Sequence, residues 1–375
     1  MLFICSRSLL LALFSSNIIH LLVARGIQAL GAGGLFPISS TVIGEQFPKE
    51  KRGMALGFIG MVWGVAAIIG PLAGGWLIQW FDWQSIFYLS FFLSFISLFF
   101  IIKHMPESKP VHSHPLDFVG MVILAIGLFS LTYMLSNLDA KNLLADLSGI
   151  KNIVLIIVVI ASFTILAFYE TKVKAPVRPV KLFKDRDLNI SYLLSFARGI
   201  TEAGLVFLPF YAMTVLNVNT GIAGSLLIAS AITLFLFTEP AGLMVDRIGP
   251  NIILLIGAVF VVLGGLLMSI ADSYAGFIGY QVVLGIGLSG LSGAPIRYVV
   301  LHQTSELEKS AAQSLVSLFS SFGIMVGSAI AGALLSVSGE NNIQGFQNIY
   351  IMVAIVALIS AIAIFGMKKL KEINN

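Results

Sequence analysis

Charged side chains are scarce in this sequence, so each one inside an apolar run is a candidate for chemistry. Arg25 and Gln28 are three residues apart on one helical face of an otherwise apolar stretch. Arg25 lies about seven residues, or ~10 Å at 1.5 Å per residue, from the outer end of its run, too deep for easy snorkelling. A charge at such depth costs roughly 2.5–3.5 kcal/mol to insert, so it faces a partner or a water-filled cavity, and a role in solute or proton handling is expected. Arg198 and Glu202 are four apart, the spacing of an intrahelical ion pair. The alternative is a titratable Glu202, released from Arg198 by a proton or by solute. Glu239 precedes Asp246 by about seven residues, or ~10 Å along a helix. It stands in a very apolar run beside Pro240, which frees backbone groups, and it is the acid preferred for proton coupling. Arg297 falls near the end of its run, where a snorkelling side chain is expected. His112 and His114 form an H-x-H pair, but two ligands do not make a zinc site, so no metal is expected. No metalloprotease, Walker A or serine-nucleophile signature stands on a suitable element, and the chain is not expected to be an enzyme.

A second pattern uses residues with almost no side chain. Gly53, Gly57, Gly60, Gly64, Ala67, Pro71 and Gly74 follow one another at steps of 4, 3, 4, 3, 4 and 3. That is one continuous helical face about 32 Å long, close to the thickness of a bilayer's hydrocarbon core. Such a stripe lets another helix approach backbone to backbone.

The elements that must carry these residues are membrane spans. Hydrophobic residues make up 58% of the 375 and charged ones 11%, with a mean hydropathy of +0.97. A soluble fold of this length cannot hide so much apolar surface, and several runs exceed the ~18 residues that suggest a span. Twelve spans are expected, at 1–16, 18–43, 54–79, 85–102, 118–137, 151–169, 188–213, 222–244, 251–270, 275–298, 311–336 and 346–366. Sixteen lysines and arginines fall on one set of loops and only Lys141 and Lys151 on the other. By the positive-inside rule the rich set, and with it the C-terminus, is expected in the cytoplasm. The net charge of +4 is therefore a topology signal, and nucleic acid is not an expected partner. The single cysteine, Cys5, excludes an internal disulfide.

An internal repeat stands at an offset of about 258 residues: Pro37 aligns with Pro295, Lys51 with Lys309 and Gly74 with Gly332. At that offset the small-residue stripe becomes Ala311, Leu315, Leu318, Phe322, Met325, Ala329 and Gly332. The copy has not kept it, so a close contact is expected on one side only. Two related helical bundles in one chain are an architecture of secondary transporters.

With those residues in view, the chain resembles the major facilitator superfamily, and most of all its fourteen-span drug:proton antiporter branch. Arg25, Gln28 and Gly31 match the family's fourth-helix pattern R-x-x-Q-G-x-G, with Ala29 in place of its first glycine. Gly57, Gly70, Pro71, Gly74 and Gly75 match the fifth-helix antiporter pattern, with Ala66 in place of one glycine. Gly242, Asp246, Arg247 and Gly249 resemble the gating signature between two helices of a bundle, although Pro250 and Asn251 replace its basic pair. The resemblance implies an all-α polytopic membrane protein with a two-bundle fold and two extra central helices. Its expected parts are the remainder of an N-terminal bundle (1–103), a central insert (104–187) and a C-terminal six-helix bundle (188–375). The span count implies two further helices before Met1. The implied activity is proton-driven efflux of small amphipathic or cationic compounds by a monomer in the plasma membrane, with no cofactor beyond the proton gradient. The alternative keeps the fold and changes the cargo to a sugar, organic acid or amino acid, or makes the chain a non-transporting remnant.

Overall fold

A computed structural model describes residues 2–15, 17–48, 51–104, 117–138, 143–170, 180–218, 220–292, 294–305, 308–338 and 343–368. His112 and His114 lie outside them, as do the surroundings of Gly64, Ala67, Pro71, Gly74 and Gly75. Every regular element among the described residues is helical. The first group is α1 (Leu2–Leu13), α2 (Ile18–Ala32), α3 (Leu35–Gln46), α4 (Arg52–Trp80) and α5 (Ser85–His104). A middle group follows: α6 (Phe118–Ser136), the short α7 (Leu143–Leu147) and α8 (Ile150–Glu170). The last group is α9 (Arg186–Val206), α10 (Leu208–Val215), α11 (Thr220–Leu226), α12 (Ile228–Ile248), α13 (Pro250–Ser269), α14 (Tyr274–Ser292), α15 (Ala294–Gln303), α16 (Lys309–Val337) and α17 (Ile343–Ile364).

Among the described residues, ten stretches are helical, long and apolar enough to cross a membrane. The other two expected spans are α1, at 12 residues, and α4, at 29. Large apolar side chains such as Phe92, Ile160, Leu263 and Ile362 stand exposed around the outside. Lipid is the solvent that such a surface requires. Local sequence starts several helices: the side chains of Asn17, Asp117 and Asp185 each accept a backbone N–H three residues on.

Several spans are broken by residues that cannot continue a helix. Pro209 opens α10 immediately after α9, because a proline ring clashes with the carbonyl four residues back and offers no N–H. Gly33 and Gly34 part α2 from α3, and Pro37 and Pro295 stand in the first turns of α3 and α15. The repeat is visible in the elements themselves. Helices α3 and α4 have 12 and 29 residues, and their counterparts α15 and α16 have 10 and 29.

Burial is concentrated in the last group, where α9 and α13–α17 enclose the largest apolar core. There Tyr192 stacks on Phe319 with ring centroids 5.5 Å apart. Helices α6 and α8 pack as a pair, Gly127 against Ser162, and reach α16 where the Thr132 hydroxyl meets the Met325 sulfur at 3.2 Å.

Candidate functional site

Two glycine contacts set the geometry. In the first, α4 lies against α12 with nothing between their backbones. A Cβ on Gly53 would fall 2.5 Å from the Gly242 carbonyl oxygen, and one on Gly242 would fall 2.5 Å from the Gly53 oxygen. Gly57 continues the seam, its Cβ position 3.3 Å from the Glu239 Cα. The upper part of the small-residue stripe thus seats a helix of the last group against one of the first. Gly70, farther along, has open space beside it among the described residues. In the second contact, a Cβ on Gly199 of α9 would run into the Ser320 carbonyl of α16, and one on Gly323 into the Phe196 carbonyl. This corrects the expectation that only α4 makes a close contact. Helix α16 makes its own through Gly323 and Gly327, on a face that the 258-residue alignment does not superpose on the stripe.

The crossings leave a cavity of about 260 Å³ between the groups. The first group contributes Ala32, Gly33, Phe36 and Gly60; the last contributes Arg198 and Glu202 from α9, Leu234 and Thr238 from α12, Arg297 from α15, and Ser317, Ser320, Ser321 and Ile324 from α16. Arg198 donates from Nη2 to Glu202 Oε1 at 2.5 Å and from Nη1 to the Ser320 hydroxyl at 3.2 Å. The tight α9–α16 crossing brings that serine within reach.

Arg297 is 5% exposed and does not snorkel, which corrects the sequence expectation. Its Nη1 donates to Gln313 Oε1 at 2.8 Å and to the Ser40 hydroxyl at 3.3 Å, and its Nη2 to the Ser317 hydroxyl at 3.0 Å. Gln313 Nε2 donates back to the Arg297 carbonyl at 3.0 Å, and the guanidinium lies 4.2 Å from the centroid of Phe36. One side chain therefore ties α15 and α16 to α3.

The ends of α3 and α4 are gripped as well. Asp246 of α12 accepts the backbone N–H groups of Gly53 and Met54, each at 2.9 Å. A carboxylate on orphan amides at a helix N-terminus satisfies both hydrogen bonding and the helix dipole. At the C-terminus of α3, the Gly44 carbonyl accepts from Arg52 Nη2 at 2.5 Å and from the buried Lys309 Nζ at 3.5 Å. Gly249, at φ +90°, turns the chain from α12 into α13, a conformation that side chains rarely adopt. Arg247 beside it is exposed.

The sequence candidates thus separate. Arg198 and Glu202 share the cavity. Arg25 is exposed, donates to Gln28 Oε1 at 2.9 Å and lies 5.7 Å from the centroid of Phe87; neither Arg25 nor Gln28 lines the cavity. Glu239 is half-buried at the α4–α12 seam, one residue from the cavity-lining Thr238. Sequence reasoning placed Arg297 at the end of its run as a snorkelling side chain and did not single out the hydroxyl run Ser317, Ser320 and Ser321, which no charge or motif marks.

A family model described as Major Facilitator Superfamily matches residues 1–169 and 190–373. The chain is 26% identical over 333 residues to multidrug transporter protein MdtP of Bacillus subtilis, covering 87% of this chain and 60% of that one. It is 29% identical over 319 residues to multidrug resistance protein 3 of the same organism, covering 84% and 62%. It therefore spans less than two thirds of the length of these relatives. Among solved structures, the human organic anion transporter MFSD10 aligns with a TM-score of 0.64 at 16% identity, over 97% of this chain and 75% of that one. At that identity the likeness concerns the fold.

Proposed function

We propose that this chain, which belongs to the major facilitator superfamily, is a secondary active transporter that exports small amphipathic compounds by alternating access in exchange for protons. The observation that carries the reading is the cavity of about 260 Å³ between the first and last groups of helices, with the Arg198–Glu202 pair in its wall. Charges held inside a span are costly, and they are retained where a solute or proton passes. The wall is mixed. Leu234 and Ile324 offer apolar contact while Ser317, Ser320 and Ser321 offer hydroxyls, which suits an amphipathic solute.

In the cycle we propose, the two groups rock about the cavity, and the Asp246 and Lys309 contacts with α3 and α4 close it on the cytoplasmic side. Glu202 or Glu239 carries the proton on the return leg. The setting is the plasma membrane, with the C-terminus inside and a monomer sufficient. The cycle needs no cofactor.

The test is transport by the full chain reconstituted in proteoliposomes. An imposed pH gradient is expected to drive flux of a fluorescent amphipathic dye, and Glu202→Gln to reduce that flux at least about tenfold while insertion and thermal transition persist. Glu239→Gln run in parallel assigns the proton to one of the two carboxyls. Flux at the wild-type rate in both variants rejects the coupling assignment, and no gradient-driven flux in the parent chain rejects antiport.

A further inference from the structure

Among the described residues, the charges lining the cavity do not balance. Glu202 is the carboxylate lining it among the described residues, and Arg198 engages it at 2.5 Å. Arg297 lines the same space at 5% exposure, and among the described residues it forms no ion pair. Its side-chain acceptors among the described residues are neutral: Ser40, Gln313 and Ser317. Hydroxyl and amide dipoles and the Phe36 ring orient a guanidinium, but they leave its charge uncompensated in a medium of low dielectric. A second donor stands open as well, since Arg198 Nε is buried and finds no acceptor among the described residues. Two guanidiniums thus face one carboxylate. A cationic solute would add a third positive charge, whereas one negative charge would neutralise the site.

We propose that the solute carries a carboxylate or an equivalent acidic group, seated against Arg297, with its apolar body against Leu234 and Ile324. The inference rests on the cavity being the solute site, as in the proposed function. It replaces the expected cationic class with an anionic one. The planar guanidinium matches a carboxylate's two oxygens, and the Ser321 hydroxyl can supply a further donor. Export keeps its direction, because an inside-negative membrane potential pushes an anion outward.

The experiment measures equilibrium binding to the full chain in uncharged detergent at neutral pH. Three probes share one ring system: naphthoate, naphthylmethylammonium and naphthylmethanol. Naphthoate is expected to bind about tenfold tighter than the alcohol, and the ammonium weaker than the alcohol. Arg297→Gln is expected to erase most of that preference, and Arg297→Lys to retain part of it. Ammonium binding as tight as naphthoate overturns the inference, as does an undiminished preference in Arg297→Gln. If that variant does not fold, the wild-type order and Arg297→Lys decide. Absence of binding by all three probes overturns the cavity reading itself, while clear binding in the wrong charge order overturns only the charge inference.

Discussion

Asp246 and Arg297 show how single polar groups act where the surrounding solvent is hydrocarbon. Asp246 grips the first two amides of α4, and Arg297 reaches Ser40 and Phe36 of α3 from the other group of helices. Each contact is a charge-assisted hydrogen bond or a cation–π contact across the interface that would part in the proposed cycle. Asp246→Asn removes the charge and leaves one acceptor, so the grip is expected to weaken by about 1.5–3 kcal/mol. Its signature is labelling of a Ser317→Cys side chain from the clamp side by an impermeant thiol reagent, with Cys5 replaced beforehand. The variant is expected to label at least about tenfold faster than the Asp246 parent. Equal rates mean that Asp246 does not hold the gate. Glu202 was evident in the sequence from its spacing to Arg198 inside an apolar run, and Asp246 from its place in the gating signature. The partner amides of Asp246 were not, since a backbone N–H carries no signature in residue type.

At the scale of elements, the glycine seams decide which helices touch. The α4–α12 seam brings backbones together at Gly53, Gly57 and Gly242, and the α9–α16 seam does so at Gly199 and Gly323. Adding a methyl group to a seam forces the helices apart, at about 1–3 kcal/mol for an overpacked site. Gly242→Ala is expected to lower the thermal transition and to abolish flux, because its Cβ would meet the Gly53 oxygen at 2.5 Å. Gly70→Ala is the contrasting case. With open space beside Gly70, it is expected to leave the thermal transition unchanged. Comparable losses from both substitutions would show that the seam does not control packing. The stripe was legible in α4 as a run at steps of 4 and 3, while its partner helix was not. The stripe states that a close neighbour exists; the neighbour's identity depends on a crossing between residues almost two hundred positions apart.

For the whole molecule, the exposed apolar surface and the asymmetry of basic loops make a topology prediction. An epitope tag after Asn375 is expected to be shielded from antibody in intact cells and to become reactive after permeabilisation. Reactivity in intact cells reverses the orientation and, with it, the assignment of the Asp246 clamp to the cytoplasmic side. The repeat belongs to this scale too. Equal lengths of α4 and α16 preserve a common design, yet the two helices spend their small residues on different faces. One joins the first and last groups, and the other tightens the last group internally.

Sequence by itself determined the solvent and the class of element. Apolar runs of bilayer length must bury their backbone polar groups in helices, and breaks fall where proline and glycine prevent continuation. It also singled out Arg198, Glu202 and the small-residue stripe from Gly53 to Gly74, because spacing within one helix fixes which side chains share a face. Only the tertiary structure decided what those faces meet. It left Arg25 with Gln28 and Phe87, set Arg297 among neutral partners in the cavity wall, and seated Gly53 on Gly242. Those outcomes depend on the crossing of helices distant in sequence, and helical period is blind to crossing.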